Sequence, residues 1–221
     1  MSAALSLPPT PACRPILFSG PMVRAILAGT KTQTRRLVRW PEVESGLNLA
    51  FTGLDAGFYC SGVETSGWVL RSRDGHGRWN DRSGRAFCPY GAPGDRLWVR
   101  ETHGTVHGNG VRVVYRADGD PPMGLDGRPV GGTMKWTPSI FMRPRDCRLR
   151  LEVTDVRVER LQDISEEGAR AEGVFSGAYD GGGPGPSARD AFEDLWESIN
   201  GKRAPWASNP WVWVVGFRRV E

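Results

Sequence analysis

The stretch Gly29-Thr30-Lys31-Thr32-Gln33-Thr34-Arg35-Arg36 holds one of only three lysines in a chain with 29 basic residues, the other 26 being arginines. Arginine stays charged in proteins, whereas a buried lysine can lose its proton and act as a base or a nucleophile. A lysine in this setting is therefore the first candidate for chemistry. The sequence on either side of it indicates the fold that carries it.

The sequence before Lys31 predicts a strand and a short helix. Residues 1–14 are rich in proline, alanine and serine, as is typical of a flexible tail, and Pro15–Phe18 are apolar enough for a short strand. Ser19-Gly20-Pro21 is typical of a helix start, and Gly29 of a helix end. We expect this helix to deliver Lys31 directly after its last turn.

The sequence after this stretch is irregular. Residues from about 40 to 93 are rich in glycine, which indicates an insertion that carries hairpins. Asp74-Gly75 predicts the turn of one hairpin, between Trp68–Leu70 and Trp79.

A regular pattern returns after Gly94-Asp95. In Arg96–Thr102, alternation of two residues places Leu97, Val99 and Glu101 on one face of a strand. A carboxylate on an apolar face needs a partner, because burying an unpaired charge is costly.

The second half of the chain predicts further strands and helices. Val111–Tyr115 has the alternation of a half-buried strand, and the apolar positions between Leu149 and Leu161 change parity at Thr154-Asp155, which indicates a bulge. The remaining elements are expected at Asp163–Gly173, with Asp163 and Glu166 as a capping box, at Ser187–Ile199, and at Trp211–Phe217, an interior strand. The glycine run Gly181–Gly185 predicts a flexible loop.

Composition favours one domain, at residues 15–221. The 221 residues include 29 glycines, 17 prolines and nine tryptophans, which favour a loop-rich, strand-dominated architecture. A net charge of +4 and a pI near 9.1 favour an anionic partner such as a nucleotide or RNA. No apolar run is long enough for a membrane span and no signal peptide is recognisable, so we expect a cytoplasmic protein without a membrane partner. The four cysteines are far apart and are expected to be free thiols.

Two motifs together resemble the ASCH domain family. They are Gly29-x-Lys31-x-x-Thr34-Arg35-Arg36 and Gly94-Asp95-x-Leu97-Trp98-Val99-Arg100-Glu101. Trp136-x-Pro138-Ser139-Ile140, Leu151–Val174 and the ending from Leu195 through Trp213 are similar to the longer ASCH proteins often found in phages and prophages. The resemblance covers most of residues 15–220 apart from the insertion.

The resemblance implies an α+β fold related to the PUA domain, a small mixed β-barrel with short flanking helices and a central cleft suited to RNA or nucleotides. Some short members of the family are amidohydrolases that remove an acyl group from the exocyclic nitrogen of N4-acetylcytidine. They use a lysine, a threonine three residues later and a glutamate on a following strand. These roles carry over to Lys31, Thr34 and Glu101, and no cofactor is implied.

Physical chemistry leaves two roles open for Lys31. Deprotonating a lysine of ordinary pKa at neutral pH costs roughly 4 to 5 kcal/mol, and a nearby carboxylate raises that cost. If desolvation prevails, Lys31 can take a proton from Thr34, whose hydroxyl attacks the acyl carbonyl. Otherwise Glu101 activates water or threonine, and Lys31 stabilises the oxyanion as a cation. A simple ion pair between Lys31 and Glu101 is the structural alternative.

Arginines and aromatic residues beside the motifs are candidates for substrate binding, because arginine contacts phosphates and tryptophan stacks on bases. These candidates are Arg36, Trp98, Arg100 and Trp136. Ser139, in the same motif as Trp136, is a further candidate. In phage-type relatives a histidine commonly follows the Trp-x-Pro-Ser-Ile segment. Phe141 occupies that place here, which removes an acid–base role and keeps stacking.

The resemblance therefore implies a nucleobase- or nucleoside-binding protein, expected to deacylate N4-acylated cytidine or a related modified base, with a modified nucleoside or RNA as its partner. A non-catalytic RNA or nucleotide-binding module is the main alternative, and a ribonuclease that uses Lys31 and Glu101 is a further one. His103 and His107 have the spacing of a helical zinc pair, but their glycine-rich setting is not helical. No metal site is expected.

Overall fold

The computed structural model describes residues 13–38, 50–58, 64–73, 86–108, 110–120, 135–174 and 185–220. These residues form an α+β structure with a mixed five-stranded sheet, a three-stranded sheet, a hairpin and a few short helices. The strands are β1 (Cys13–Leu17), β2 (Gln33–Leu37), β3 (Ala50–Phe58), β4 (Glu64–Arg73), β5 (Ala86–Phe87), β6 (Arg96–Arg100), β7 (His103–Gly108), β8 (Gly110–Tyr115), β9 (Arg150–Arg160) and β10 (Trp211–Arg219). The α-helices are α1 (Gly20–Leu27), α2 (Glu166–Ala171) and α3 (Ala188–Asn200).

The five-stranded sheet has the order β1-β6-β9-β10-β2. The β1–β6 pair is parallel and the other three pairs are antiparallel. Val212–Val215 of β10 are buried on both faces, which confirms the predicted interior strand. Trp213 and Val215 belong to one apolar cluster, and Val212 and Val214 to a second that includes Phe192 and Trp196 of α3.

The predicted bulge in β9 is confirmed. Gly216 of β10 pairs with Asp155, but the next residue, Phe217, pairs with Val153, so Thr154 is left over. Thr154 and Asp155 are both exposed, whereas Val153 and Val156 on either side are buried. The extra residue therefore restores the apolar side chains to the core face after the change of parity.

The two ends of the sheet approach each other, since Arg36 of β2 donates to the Leu17 backbone oxygen of β1 at 2.7 Å. β1 and β2 are its edge strands and are not paired with each other, so the sheet does not close on itself over the described residues. The coarse prediction of an α+β fold is confirmed.

Local sequence signals explain the helices, with one correction. Gly29 follows α1 with φ +75°, and Ser187 and Asp190 form a capping box at the start of α3. The predicted capping residue Asp163 is wrong, because Leu161–Asp163 is a 3-10 turn. Ser165 caps α2 instead, and its side chain accepts a hydrogen bond from the Gly168 N–H.

The β7–β8 hairpin is where the structure differs most from the prediction made from the sequence. β7, with two glycines and two histidines, was not predicted, although it pairs with β8 along its whole length. The prediction that β8 is cleanly half-buried is wrong at Val111, whose exposed fraction is 71%. Ile199, expected on the apolar face of α3, is also exposed.

The insertion contributes the sheet β3-β4-β5. The predicted turn at Asp74-Gly75, most of the glycine loop (residues 181–184) and residues 1–12 of the tail lie outside the described residues, whereas β1 begins within the expected tail, at Cys13. Cys13, Cys88 and Cys147 are free thiols, as predicted, and Cys60 lies outside the described residues. No helix among the described residues is long and apolar enough to cross a bilayer.

Candidate functional site

Lys31 lies between α1 and β2 and is buried, with its side chain 0% exposed. Its Nζ donates to the backbone oxygen of Glu172 at 2.7 Å and to the Oε2 of the same residue at 2.8 Å. The backbones of the two residues also form an isolated β-bridge. Glu172, which follows α2 directly, therefore holds Lys31 by both main chain and side chain.

Arg35 extends this ion pair toward the surface. Its Nη1 lies 3.3 Å from Glu172 Oε1, and its Nη2 lies 2.9 Å from Glu159 Oε2. Lys31 and Arg35 lie on the same side of the extended chain at the start of β2, so both side chains contact the Glu172 carboxylate. Glu172 thus faces two buried cations, and the second carboxylate, Glu159, is itself 25% exposed.

Burial lowers the pKa of Lys31 from its ordinary value of 10.5. Desolvation is the largest cause, and the positive charges of Arg36 and Arg35 act in the same direction. The charge of Glu172 and its hydrogen bond raise the pKa, but they do not outweigh the loss of water. Desolvation therefore outweighs the carboxylate in its effect on the Lys31 pKa.

Thr34 lies on β2 opposite Val215 of β10 and is buried, with 3% exposed. It lines a small cleft of about 60 Å³, together with Arg36 and Glu172. Side chains of α1 and α3, among them Met22 and Phe192, form the apolar part of the wall. The cleft is therefore lined by Thr34, by Arg36 and by Glu172, the partner of Lys31.

Glu101 is buried as predicted, on the same face as Leu97 and Val99, but its partner is different from the one expected. Arg148 donates Nε to Oε1 and Nη2 to Oε2, both at 2.9 Å. Arg148 also binds Asp118. The predicted Lys31–Glu101 ion pair is wrong, because two other residues, Glu172 and Arg148, hold these charges.

The Arg148 guanidinium is firmly charged. Burial alone would lower its pKa, but hydrogen bonds and the charges of Glu101 and Asp118 outweigh burial and raise it. The guanidinium also lies over the Tyr115 ring, 4.0 Å from the centroid. Both Glu101 oxygens are thus committed to a bidentate bond with a permanent cation.

Arg36, Trp98, Arg100, Trp136 and Ser139 were the predicted substrate-binding residues, and they fall into separate groups. Arg36 donates Nη2 to the Leu17 backbone oxygen at 2.7 Å and lies over the Phe18 ring. Lys31 lies over the same ring, with Nζ 5.5 Å from the centroid. Arg36 is thus near Lys31.

The other predicted binding residues form a second group. Arg100 donates Nε to the Ser139 backbone oxygen at 3.2 Å and lies over the Trp98 ring. Trp136 is covered by Arg116 instead, 5.1 Å from the ring centroid. Arginine–tryptophan pairs therefore recur on this part of the surface.

Two histidines of β7 differ in exposure. His103 is buried with Nδ1 3.3 Å from the Glu101 backbone oxygen, and His107 is exposed. Among the described residues, no group of three histidine, cysteine or acidic side chains could hold a metal ion.

Sequence reasoning missed Glu172 and Arg148, the two partners of the buried charges. A carboxylate directly after a helix is unfavourable for the helix dipole, so Ala171-Glu172-Gly173 held a signal that Glu172 has another role. Arg148 gave no comparable signal, because it stands in a run with Arg143, Arg145 and Arg150.

Comparison of this chain with protein-family models, with curated proteins and with solved structures finds no match.

Proposed function

We propose that this protein is an ASCH-like, nucleobase-binding amidohydrolase that deacylates an N4-acylated cytosine or cytidine, with Lys31 as the base and Thr34 as the nucleophile. The observation that carries the proposal is the complete burial of the Lys31 side chain, 2.8 Å from the Glu172 carboxylate, and this burial lowers the pKa of the lysine. The resemblance of the two motifs to the ASCH family supports it, and an ASCH domain would be expected to have a PUA-like fold.

The two hydrogen bonds of Lys31 can be made by the neutral amine as well as by the ammonium. A neutral amine has two N–H groups, and Lys31 directs two donor contacts to the backbone oxygen and the carboxylate of Glu172. Its lone pair then remains to accept the proton of Thr34. In the described residues no hydrogen bond joins Lys31 to Thr34, and such bonds often tighten only when substrate binds.

The proposed reaction has two steps. The Thr34 oxygen bonds to the acyl carbon as its proton passes to Lys31, and the C–N bond then breaks as that proton passes to the departing nitrogen. Water next attacks the acyl-threonine, which releases the carboxylic acid. Glu101 transfers no proton in this scheme, because Arg148 occupies both of its oxygens.

Turnover of N4-acetylcytidine, followed by chromatography, tests the proposal. We expect Lys31→Met and Thr34→Val to reduce kcat by at least about 100-fold, the range typical of a lost acid–base or nucleophilic group. Lys135→Ala and Lys202→Ala are matched controls, because both lysines are exposed, and should retain full activity.

Thermal unfolding of each variant separates loss of chemistry from loss of fold. Turnover by wild type that persists in a folded Lys31→Met variant would contradict the assignment of the base. Absence of turnover by wild type with any N4-acylated cytosine compound would contradict the activity itself.

A second candidate, an RNA-binding module, is favoured by the distribution of charge. The segment Arg96–Arg150 has ten basic and five acidic residues and so carries +5, whereas the rest of the chain carries −1. Phe141, on a 3-10 turn of this segment, is 64% exposed. Exposed aromatic rings among arginines are suited to stack on the bases of single-stranded RNA.

Fluorescence anisotropy with a labelled 12-nucleotide single-stranded RNA tests this candidate. Phe141→Ala should weaken binding by about 1–3 kcal/mol, the usual contribution of one stacked base. Ile199→Ala, an exposed apolar residue on α3, is the control and should change nothing. Equal effects of the two substitutions would exclude stacking on Phe141, and cleavage of the RNA would instead favour the ribonuclease.

A further inference from the structure

A second, larger pocket of about 620 Å³ adjoins the cleft at Thr34. The two share Arg36, Leu37 and Asn200 as lining residues, so they lie side by side at the edge strand β2. Arg203, which follows α3, and Tyr90 line only the larger pocket. Its size is in the range of pockets that hold small ligands, about 300–1,000 Å³.

The charge of this pocket is entirely positive. Its charged lining residues are Arg36 and Arg203, and no carboxylate lines it within the described part of the chain. Neither guanidinium forms an ion pair with a described carboxylate, whereas Arg35, the neighbour of Arg36, binds two. The Nε of Arg36 is buried without a hydrogen-bond partner among the described residues. Arg36 also donates to the Leu17 backbone oxygen, but two guanidinium groups without an ion pair to a described carboxylate still favour an anion in this pocket.

The carboxyl end of α3 opposes an anion, because helix carbonyls carry partial negative charge. The Asn200 backbone oxygen, however, already accepts hydrogen bonds from the N–H groups of Arg203 and Ala204. These bonds, together with the full positive charge of Arg203, offset the partial negative charge at the carboxyl end of α3.

We infer that this pocket binds the phosphate of a nucleotide whose acyl-bearing end faces the small cleft at Thr34. The inference rests on the proposed function and makes it more specific, because the substrate is then a phosphorylated cytosine compound and not a free nucleoside. Guanidinium groups bind phosphate with paired, charge-assisted hydrogen bonds. Tyr90 and Asn200 also line the pocket.

Isothermal titration with 5′-CMP, cytidine and inorganic phosphate tests the inference without turnover. Wild type is expected to bind 5′-CMP at least about tenfold more tightly than cytidine, since each charge-assisted contact contributes at least that factor. Arg203→Ala should remove this preference and leave cytidine binding unchanged. Lys202→Ala is the matched control, because it removes the same charge from the adjacent exposed residue.

The outcomes separate this inference from the proposed activity. If 5′-CMP and cytidine bind wild type equally, if phosphate compounds do not bind, or if Lys202→Ala matches Arg203→Ala, the phosphate pocket is wrong even when N4-acetylcytidine is hydrolysed. If 5′-CMP binds through Arg203 but no N4-acylated compound is hydrolysed, the pocket stands and the amidohydrolase activity fails.

Discussion

At the scale of single residues, the buried lysine, arginine and glutamate side chains in the described part of the chain are matched by opposite charges. Lys31 and Arg35 share Glu172, and Glu101 is held by Arg148. Removing one partner of a buried pair leaves an uncompensated charge, at a cost of about 3–5 kcal/mol. The lysine is thus both a candidate base and part of the scaffold, and only experiments that separate these roles are informative.

The pH dependence of kcat separates the two chemical roles of Lys31. As a base, Lys31 must be neutral, so activity should rise with pH through a pKa below the ordinary 10.5. As a cation that stabilises the oxyanion, it would make activity fall through the same pKa. A rising limb that is absent from the residual activity of Lys31→Met identifies the base, and a falling limb contradicts it.

The free energy of unfolding should also depend on pH, in the interval between the lowered pKa of Lys31 and its ordinary value. The folded pKa of Lys31 is lowered, so above it the unfolded chain binds more protons at this site than the folded chain does. The free energy of unfolding of wild type relative to Lys31→Met should therefore rise with pH between the folded pKa and 10.5. Urea unfolding at several pH values measures the difference, and a constant difference would mean that Lys31 keeps its ordinary pKa.

Sequence alone predicted that Glu101 faces inward and singled out Lys31, but it did not predict the residues that pair with them. Alternation placed Glu101 beside Leu97 and Val99, and scarcity singled out Lys31. The partner of Lys31 is 141 residues away in sequence, and long-range pairing of this kind depends on how α2 packs beside β2. No local spacing rule contains that information.

At the scale of elements, Gly173 fixes how closely α2 approaches Lys31. Gly173 has φ +79°, and an added Cβ would lie 2.9 Å from the Cβ atoms of Lys31 and Ala25. Gly29 has a similar φ, +75°, with open space around the same position. Substituting alanine at Gly173 and at Gly29 therefore separates the cost of backbone strain from the cost of overpacking.

Gly173→Ala should lower the free energy of unfolding by about 3 kcal/mol, from backbone strain of about 1–2 kcal/mol and overpacking of about 1–3 kcal/mol. Gly29→Ala should lower it only by the strain, about 1–2 kcal/mol. Urea unfolding gives both values. Equal losses would show that α2 does not pack tightly against Lys31.

Elements with a strong pattern were predictable, and those without one were not. The parity change in Leu149–Leu161 predicted the bulge at Thr154, because one buried face of a strand leaves little freedom in register. β7 has glycine at both the second and the last of its six positions and little apolar alternation, so only its pairing with β8 defines it. The N-terminus of α2 was misplaced because Asp163 and Ser165 are both good capping residues.

At the scale of the whole molecule, charge is divided unevenly along the chain. The segment Arg96–Arg150 carries more positive charge than the protein as a whole, +5 against +4. Its parts are in contact, since Tyr115 donates to the Asp146 backbone oxygen and His103 pairs with Thr137. A basic surface on one part of the fold would orient a nucleic acid on it.

Salt dependence of RNA binding tests this orientation. Replacing Arg143 and Arg145 by alanine should reduce the slope of log K against log salt by up to about 1.4, since each contact to single-stranded nucleic acid contributes about 0.7. Replacing Arg170 and Arg219 by alanine removes the same net charge elsewhere and should leave the slope nearly unchanged. Equal slopes in the two variants would show that binding depends on net charge alone.

The burial of Lys31 also has a consequence for the order of events during synthesis. The chain has three lysine side chains, and Lys135 and Lys202 are exposed in the fold. The carboxylate that shields Lys31 is made 141 residues after it. Until that later segment exists and docks, the Lys31 amine is open to acylating reagents, and afterwards it is closed to them. The reactivity of the Lys31 amine toward such reagents therefore reports whether the segment that carries Glu172 has docked against it.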